Sequence, residues 1–169
     1  DKVDLAHYLF ISGDSGTPRE AFTNKEIEII KSHIGQVPYA DYIYCHIYLG
    51  FRPHEFLTLD IENYDAKEHC FIGGGKTEAG TNRTVTISPK IQPIIKKIVG
   101  DRTSGPVFCG PDGNEIYDKK YREECFYPAL KAMGLPNPEY GMNGPRKLTP
   151  HCCRHTFATL MKNINGTDK

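Results

Sequence analysis

Residues 149–159 read Thr149-Pro150-His151-Cys152-Cys153-Arg154-His155-Thr156-Phe157-Ala158-Thr159. Thr149 is a helix-capping residue, and Pro150 suits the first helical position, where its missing N–H has no partner to lose. The spacing predicts a helix from His151 to about Asn163, ending before Asn165-Gly166, with Phe157, Leu160 and Met161 as its apolar stripe. His151 and Arg154 stand at i and i+3 and share one face beside the free N–H groups of the helix start, which together favour a phosphate oxygen. A plainer reading pairs Arg154 with a carboxylate and leaves His151 as a cap. These eleven residues fit either.

Upstream, Leu49-Gly50-Phe51-Arg52-Pro53-His54-Glu55-Phe56-Leu57-Thr58-Leu59 sets an arginine and, three residues on, a glutamate between two apolar runs. Pro53 opens a short helix with Arg52 at its N-terminus, half buried and oriented by Glu55. Arginine suits two-pronged phosphate binding better than lysine, although an intrahelical Arg–Glu pair is the simpler reading. Between these segments lies Gly75-Lys76-Thr77-Glu78-Ala79-Gly80-Thr81-Asn82, followed by the alternating Arg83-Thr84-Val85-Thr86-Ile87. The glycines are turn chemistry, so Lys76 is expected at or beside a hairpin tip. A lysine there can swing onto a ligand and donate a proton if a phosphate tunes it, or simply stay hydrated.

The rest of the chain supplies a frame. Thr23-Asn24-Lys25-Glu26 is a capping box leading into Ile27, Ile30 and Ile34, a helix closed by Gly35. Pro38 opens a second helix to about Gly50 with almost no polar face, expected to be central and buried. Ile61–Tyr64, His69–Ile72 and Arg83–Ile87 read as short strands, Ser88-Pro89 starts a helix through Val99, and residues 117–133 form another, ending at Gly134.

The chain has 169 residues, 38% hydrophobic, 25% charged and 11% aromatic, with 16 Gly and 12 Pro, values that exclude disordered, collagenous and coiled-coil classes. The longest uncharged, mostly apolar stretch, Tyr42–Phe51, is half the ~20 residues a membrane helix needs, so no membrane association is expected. Six cysteines (45, 70, 109, 125, 152, 153) in a chain of this size read as reduced, cytosolic thiols. Net charge is zero, yet its distribution is uneven. Residues 76–102 hold six basic residues against Glu78 and Asp101, and residues 141–169 five against Asp168, so each segment nets +4. If they meet in space they form a polyanion-binding face. Residues 1–22 read as an entry segment or linker remnant. With no initiator Met and no leader, the chain reads as a fragment whose folded domain, residues 23–169, is incomplete at its C-terminus.

Taken together, LGFRPHEFLTL (49–59), GGGKTEAGTNRTVTI (73–87) and LTPHCCRHTFATLM (148–161) resemble, in this order, the arginine box, lysine hairpin and His-x-x-Arg box of the tyrosine recombinase (phage integrase) catalytic domain. The resemblance covers about residues 20–165 and is most similar to integrases of Gram-positive phages and conjugative transposons. It implies an α+β, mainly helical fold with a small antiparallel sheet at one edge carrying Lys76. It also implies roles: Arg52 and Arg154 clamp the non-bridging oxygens of a scissile DNA phosphate, His151 assists proton transfer at the nucleophile, and Lys76 protonates the departing 5′ oxygen. Glu55 would orient Arg52, His155 would support the box, and Arg83, Arg146 and Lys147 of the basic segments would contact DNA. No cofactor or metal is implied. The partners are double-stranded DNA attachment sites and further protomers in a tetrameric synapse, in the bacterial cytoplasm.

The family's nucleophile is a tyrosine downstream of the His-x-x-Arg box, forming a 3′-phosphotyrosyl link. The ten tyrosines here (8, 39, 42, 44, 48, 64, 117, 121, 127, 140) all precede His151. The expectation is therefore a fragment truncated at both ends that does not cleave DNA by itself. Cys153 stands where the family commonly has an apolar residue such as Leu, and should pack as a small hydrophobe. Three rivals remain. A zinc module would use His151, Cys152, Cys153 and His155, but the paired Cys-x-x-Cys is missing. A non-catalytic DNA-binding relative would keep the fold without the nucleophile. A type IB topoisomerase would share the chemistry.

Overall fold

The computed structural model describes residues 20–73, 83–136 and 146–166. Helix α1 (Asn24–Ser32) begins as its capping box dictates: the Thr23 side chain accepts from Glu26 N at 3.2 Å, and Glu26 Oε1 accepts from Thr23 N at 2.8 Å. It ends at Ser32, three residues before Gly35, which turns with φ +87°. Helix α2 (Ala40–Leu49) starts two residues after Pro38, because Tyr39 takes the left-handed conformation (φ +68°). Its Ile43, Cys45, His46, Ile47 and Leu49 are buried, so α2 is the central helix that its lack of a polar face predicts. Gly50, at φ +69°, ends it.

Helix α3 (Pro53–Leu57) follows at once. Residues Ile61–Asn63, expected as strand, form a 3₁₀ turn instead, because Asp60 accepts from Glu62 N at 2.9 Å and so draws the backbone into a local cap. The sheet is small and antiparallel, in the order β1 (Tyr64–Asp65), β2 (Cys70–Ile72), β3 (Thr84–Thr86), with Tyr64 opposite Phe71 and Phe71 opposite Val85. Helix α4 (Gln92–Val99) starts later than Ser88-Pro89 predicts, after a turn in which Ser88 O accepts from Ile91 and Gln92 N.

Residues 118–132 are helical, but not one regular helix: α5 (Asp118–Lys120) and α6 (Tyr127–Ala132) flank a π-helical segment, Tyr121–Phe126. Pro128 has no N–H to return to the preceding turn, which accounts for the widened ladder ahead of it. Helix α7 (Pro150–Gly166) runs through Asn165-Gly166 rather than stopping before them. Gly166 is not among the positive-φ glycines, so the Asn-Gly pair makes no left-handed cap and the ladder continues.

The core is aromatic and lies under α3. The Phe56 ring is stacked between His46 (centroids 4.2 Å apart, 9°) and Phe108 (4.0 Å, 25°). Helix α7 packs on α2, and the buried Thr156 hydroxyl accepts from Phe22 N at 2.9 Å, fastening the chain ahead of α1 to α7. Cys153 is fully buried in the apolar cluster, and its thiol is pushed up by burial. All six cysteines are unbridged. No helix among the described residues is long and apolar enough to cross a membrane.

Candidate active site

The site forms where α2, α3 and α7 converge. Gly50 makes the convergence possible: a Cβ there would lie 2.3 Å from Phe157 Cδ1, so only glycine lets α7 approach the end of α2 this closely. Phe157, three residues after Arg154, is thus pressed over the Gly50 backbone. The approach brings the Arg154 guanidinium to the same turn, where Nη1 donates to the Gly50 carbonyl at 3.2 Å.

Two residues later, Arg52 stands at the N-cap of α3 in extended backbone (φ −60°, ψ 150°). Glu55 reaches back to it twice: Oε2 accepts from the Arg52 backbone N–H at 3.0 Å, and Oε1 meets Arg52 Nη1 at 3.3 Å. The same carboxylate lies 3.9 Å from Arg154 Nη1. Glu55 therefore bridges the two arginines contributed by α3 and α7. Arg52 remains 60% exposed at its side chain while Arg154 is 23% exposed, so one guanidinium faces outward and the other is held against the backbone. His151 is exposed one turn before Arg154. The pairing with a carboxylate expected as the plainer reading is present for both arginines, and a single glutamate supplies it.

The Arg83 guanidinium lies over the Phe51 ring at 5.5 Å, bringing the start of β3 against the residue that precedes Arg52. Lys76 and its hairpin tip lie outside the described residues. His155 is half-buried, and its carbonyl accepts from Thr159 Oγ1 at 3.0 Å. Lys147 is exposed. Arg146 is committed within the protein: Nε to Glu20 Oε2 at 2.6 Å, Nη1 to Glu26 Oε2 at 2.7 Å and Nη2 to the Ala21 carbonyl at 2.9 Å. It ties the segment ahead of α1 to that ahead of α7, a role its place in a basic run does not reveal. Cys152 acts locally as well, its Sγ accepting from Thr149 N at 3.2 Å at the start of α7. Among the described residues no group of three or more His, Cys, Asp or Glu gathers to hold a metal ion.

One residue of this centre was not singled out from sequence. His46 of α2 is fully buried, and its Nε2 donates to the Phe51 carbonyl at 2.9 Å. Burial lowers its pKa to about 4, with the positive charges of His151 and Arg154 acting in the same direction and the bond to Phe51 opposing. It is a neutral imidazole at physiological pH. Its only signal in the sequence is a histidine in a helix with almost no polar face.

Arg52 and Arg154 thus converge on one glutamate, with the exposed His151 one turn before Arg154. Residues 21–168 match the model of the phage integrase family, and the chain belongs to that family. It is 30% identical over 113 residues, 66% of this chain, to the tyrosine recombinase XerA of Pyrococcus furiosus, whose length it spans to 36%. Among solved structures, the Tn1549 transposon integrase in complex with transposon right-end DNA is similar at a TM-score of 0.70 and 19% identity, over 96% of this chain and 58% of that one. The XerH recombinase bound to its difH substrate is similar at 0.61 and 18%, over 92% and 46%. These likenesses show the fold: a mainly helical tyrosine recombinase catalytic domain with a three-stranded antiparallel sheet.

Proposed function

We propose that residues 23–169 are the catalytic domain of a site-specific recombinase that integrates or excises mobile DNA, with residues 1–22 as its entry linker. The observation that carries this reading is the Glu55 bridge, which sets Arg52 and Arg154 side by side at the mouth of two helices. The two guanidiniums take the non-bridging oxygens of one backbone phosphate and neutralise the charge of its pentavalent transition state. Arg52, the more exposed, meets the phosphate from solvent, while Arg154 is steadied by its bond to the Gly50 carbonyl. His151 lies within the same cationic patch and hands protons to and from the nucleophile oxygen. Lys76 protonates the 5′ oxygen as it leaves.

A tyrosine downstream of Arg154 in the whole recombinase attacks the phosphorus, the bond to the 5′ oxygen breaks, and a 3′-phosphotyrosyl link stores the bond energy for rejoining. The ten tyrosines of residues 1–169 all precede His151, so none of them stands in that downstream position. That two similar recombinases were solved on transposon-end and difH DNA supports duplex attachment sites as partners, with further protomers completing a tetrameric synapse. The source is a Gram-positive phage or conjugative element acting in the bacterial cytoplasm. The test is covalent trapping: the full-length recombinase on nicked attachment-site DNA should yield a protease-sensitive protein–DNA adduct, and its absence with bound DNA would leave a binding-only relative.

A further inference from the structure

The peptide unit joining Phe51 to Arg52 is held at both ends. Its carbonyl, on Phe51, accepts from His46 Nε2 at 2.9 Å, and its N–H, on Arg52, donates to Glu55 Oε2 at 3.0 Å. The His46 ring also stacks on Phe56, the residue after Glu55, with centroids 4.2 Å apart and planes 9° from parallel. One buried imidazole therefore touches the backbone just before Arg52 and the side chain just after its orienting glutamate. Resting on the recombinase reading above, we propose that His46 is a positioning residue for Arg52: its Nε2–H fixes the plane of the 51–52 peptide and hence the direction in which the arginine leaves α3.

The hydrogen bond fixes the tautomer. A carbonyl only accepts, so Nε2 carries the proton and Nδ1 is a bare acceptor. Nδ1 has no hydrogen-bond partner among the described residues, although His46 is fully buried. A hydrocarbon side chain would fill this space without an unpaired acceptor, but it could not supply the donor that Phe51 O uses. Burial first, and then the charges of His151 and Arg154, oppose a positive charge on the ring, which keeps the donor neutral beside the arginines it serves.

The experiment compares His46→Phe, which keeps an aromatic ring on Phe56 but has no donor, with His46→Gln, whose amide restores an N–H near the Nε2 position. Single-turnover adduct formation, DNA affinity and melting temperature are measured on the full-length recombinase. His46→Phe should slow adduct formation by about 10- to 100-fold with DNA affinity nearly unchanged, and His46→Gln should recover most of the rate. Wild-type speed in His46→Phe, or equal losses in both variants, would overturn the assignment. If His46→Phe does not fold, ¹⁵N NMR of the wild-type imidazole decides: a neutral Nε2–H ring that does not titrate between pH 8 and about 5 supports the role, and an Nδ1–H or titrating ring contradicts it. Absence of an adduct in the wild type would count against the recombinase reading, not against the His46 bond.

Discussion

Arg154 and Gly50 are joined by a hydrogen bond from guanidinium Nη1 to carbonyl oxygen at 3.2 Å, across 104 residues of sequence. The arginine of one box thereby holds the backbone turn that presents the arginine of the other. With Phe51 O on His46 and Arg52 N on Glu55, each peptide from Gly50 to Arg52 is pinned by a side chain. The two arginines form one mechanical unit, and damage to any pin should be felt at both.

Glu55 is the pin shared by both cations. Glu55→Ala should lower the cleavage rate at least tenfold with little change in DNA affinity, since it removes alignment rather than positive charge. Glu55→Gln keeps an acceptor for Arg52 N and should fall between. Equal cleavage by all three proteins in a single-turnover adduct assay would show that the bridge is incidental.

Gly50 is fixed by its backbone and by Phe157. Gly50→Ala imposes φ +69° on a residue with a Cβ and places that Cβ against the ring, so a loss of about 2–4 kcal/mol in urea denaturation is expected. In a Phe157→Leu background the added loss should shrink towards the ~1 kcal/mol of the backbone alone.

Arg146 and Lys147 are adjacent and opposite in kind. Arg146→Ala removes the cation paired with Glu26, 7% exposed, leaving its carboxylate the Thr23 N–H, and should destabilise the domain by about 2 kcal/mol, discounted for the partial exposure of the pair. Lys147→Ala should leave the melting temperature unchanged and weaken DNA binding, reducing the salt slope by about one. The reverse pattern in paired melting and binding measurements would transfer the DNA contact to Arg146.

His46 makes stability depend on acid. Its folded pKa of about 4 lies below the ordinary value of 6.5, so the unfolded chain binds the proton more readily. Its contribution is intact above pH 6.5 and is lost as pH falls towards about 4, by about 3 kcal/mol in all. Circular-dichroism melts at pH 7 and pH 4.5 should show this slope in the wild type and a flatter one in His46→Phe.

What the sequence disclosed followed the range of each interaction. Capping at Thr23, the short helix after Arg52 and the apolar run of α2 are local, and they form as the pattern predicts. The π segment was hidden because Pro128 acts through a missing bond rather than by ending the helix. At the site, Arg52 with Glu55 was legible from spacing three, whereas the 3.9 Å approach of Glu55 to Arg154 depends on α7 lying across Gly50, and no window of sequence contains both. Arg146 was misleading for the same reason: its carboxylates, Glu20 and Glu26, are 126 and 120 residues away.

The most direct test of the phosphate clamp is adduct formation by Arg154→Ala and Arg52→Ala in the full-length recombinase on nicked attachment-site DNA. Both variants should bind the site and melt as folded domains, with adduct lost by at least a hundredfold relative to wild type. Wild-type adduct yield from either folded variant would contradict the claim that these two side chains hold the scissile phosphate.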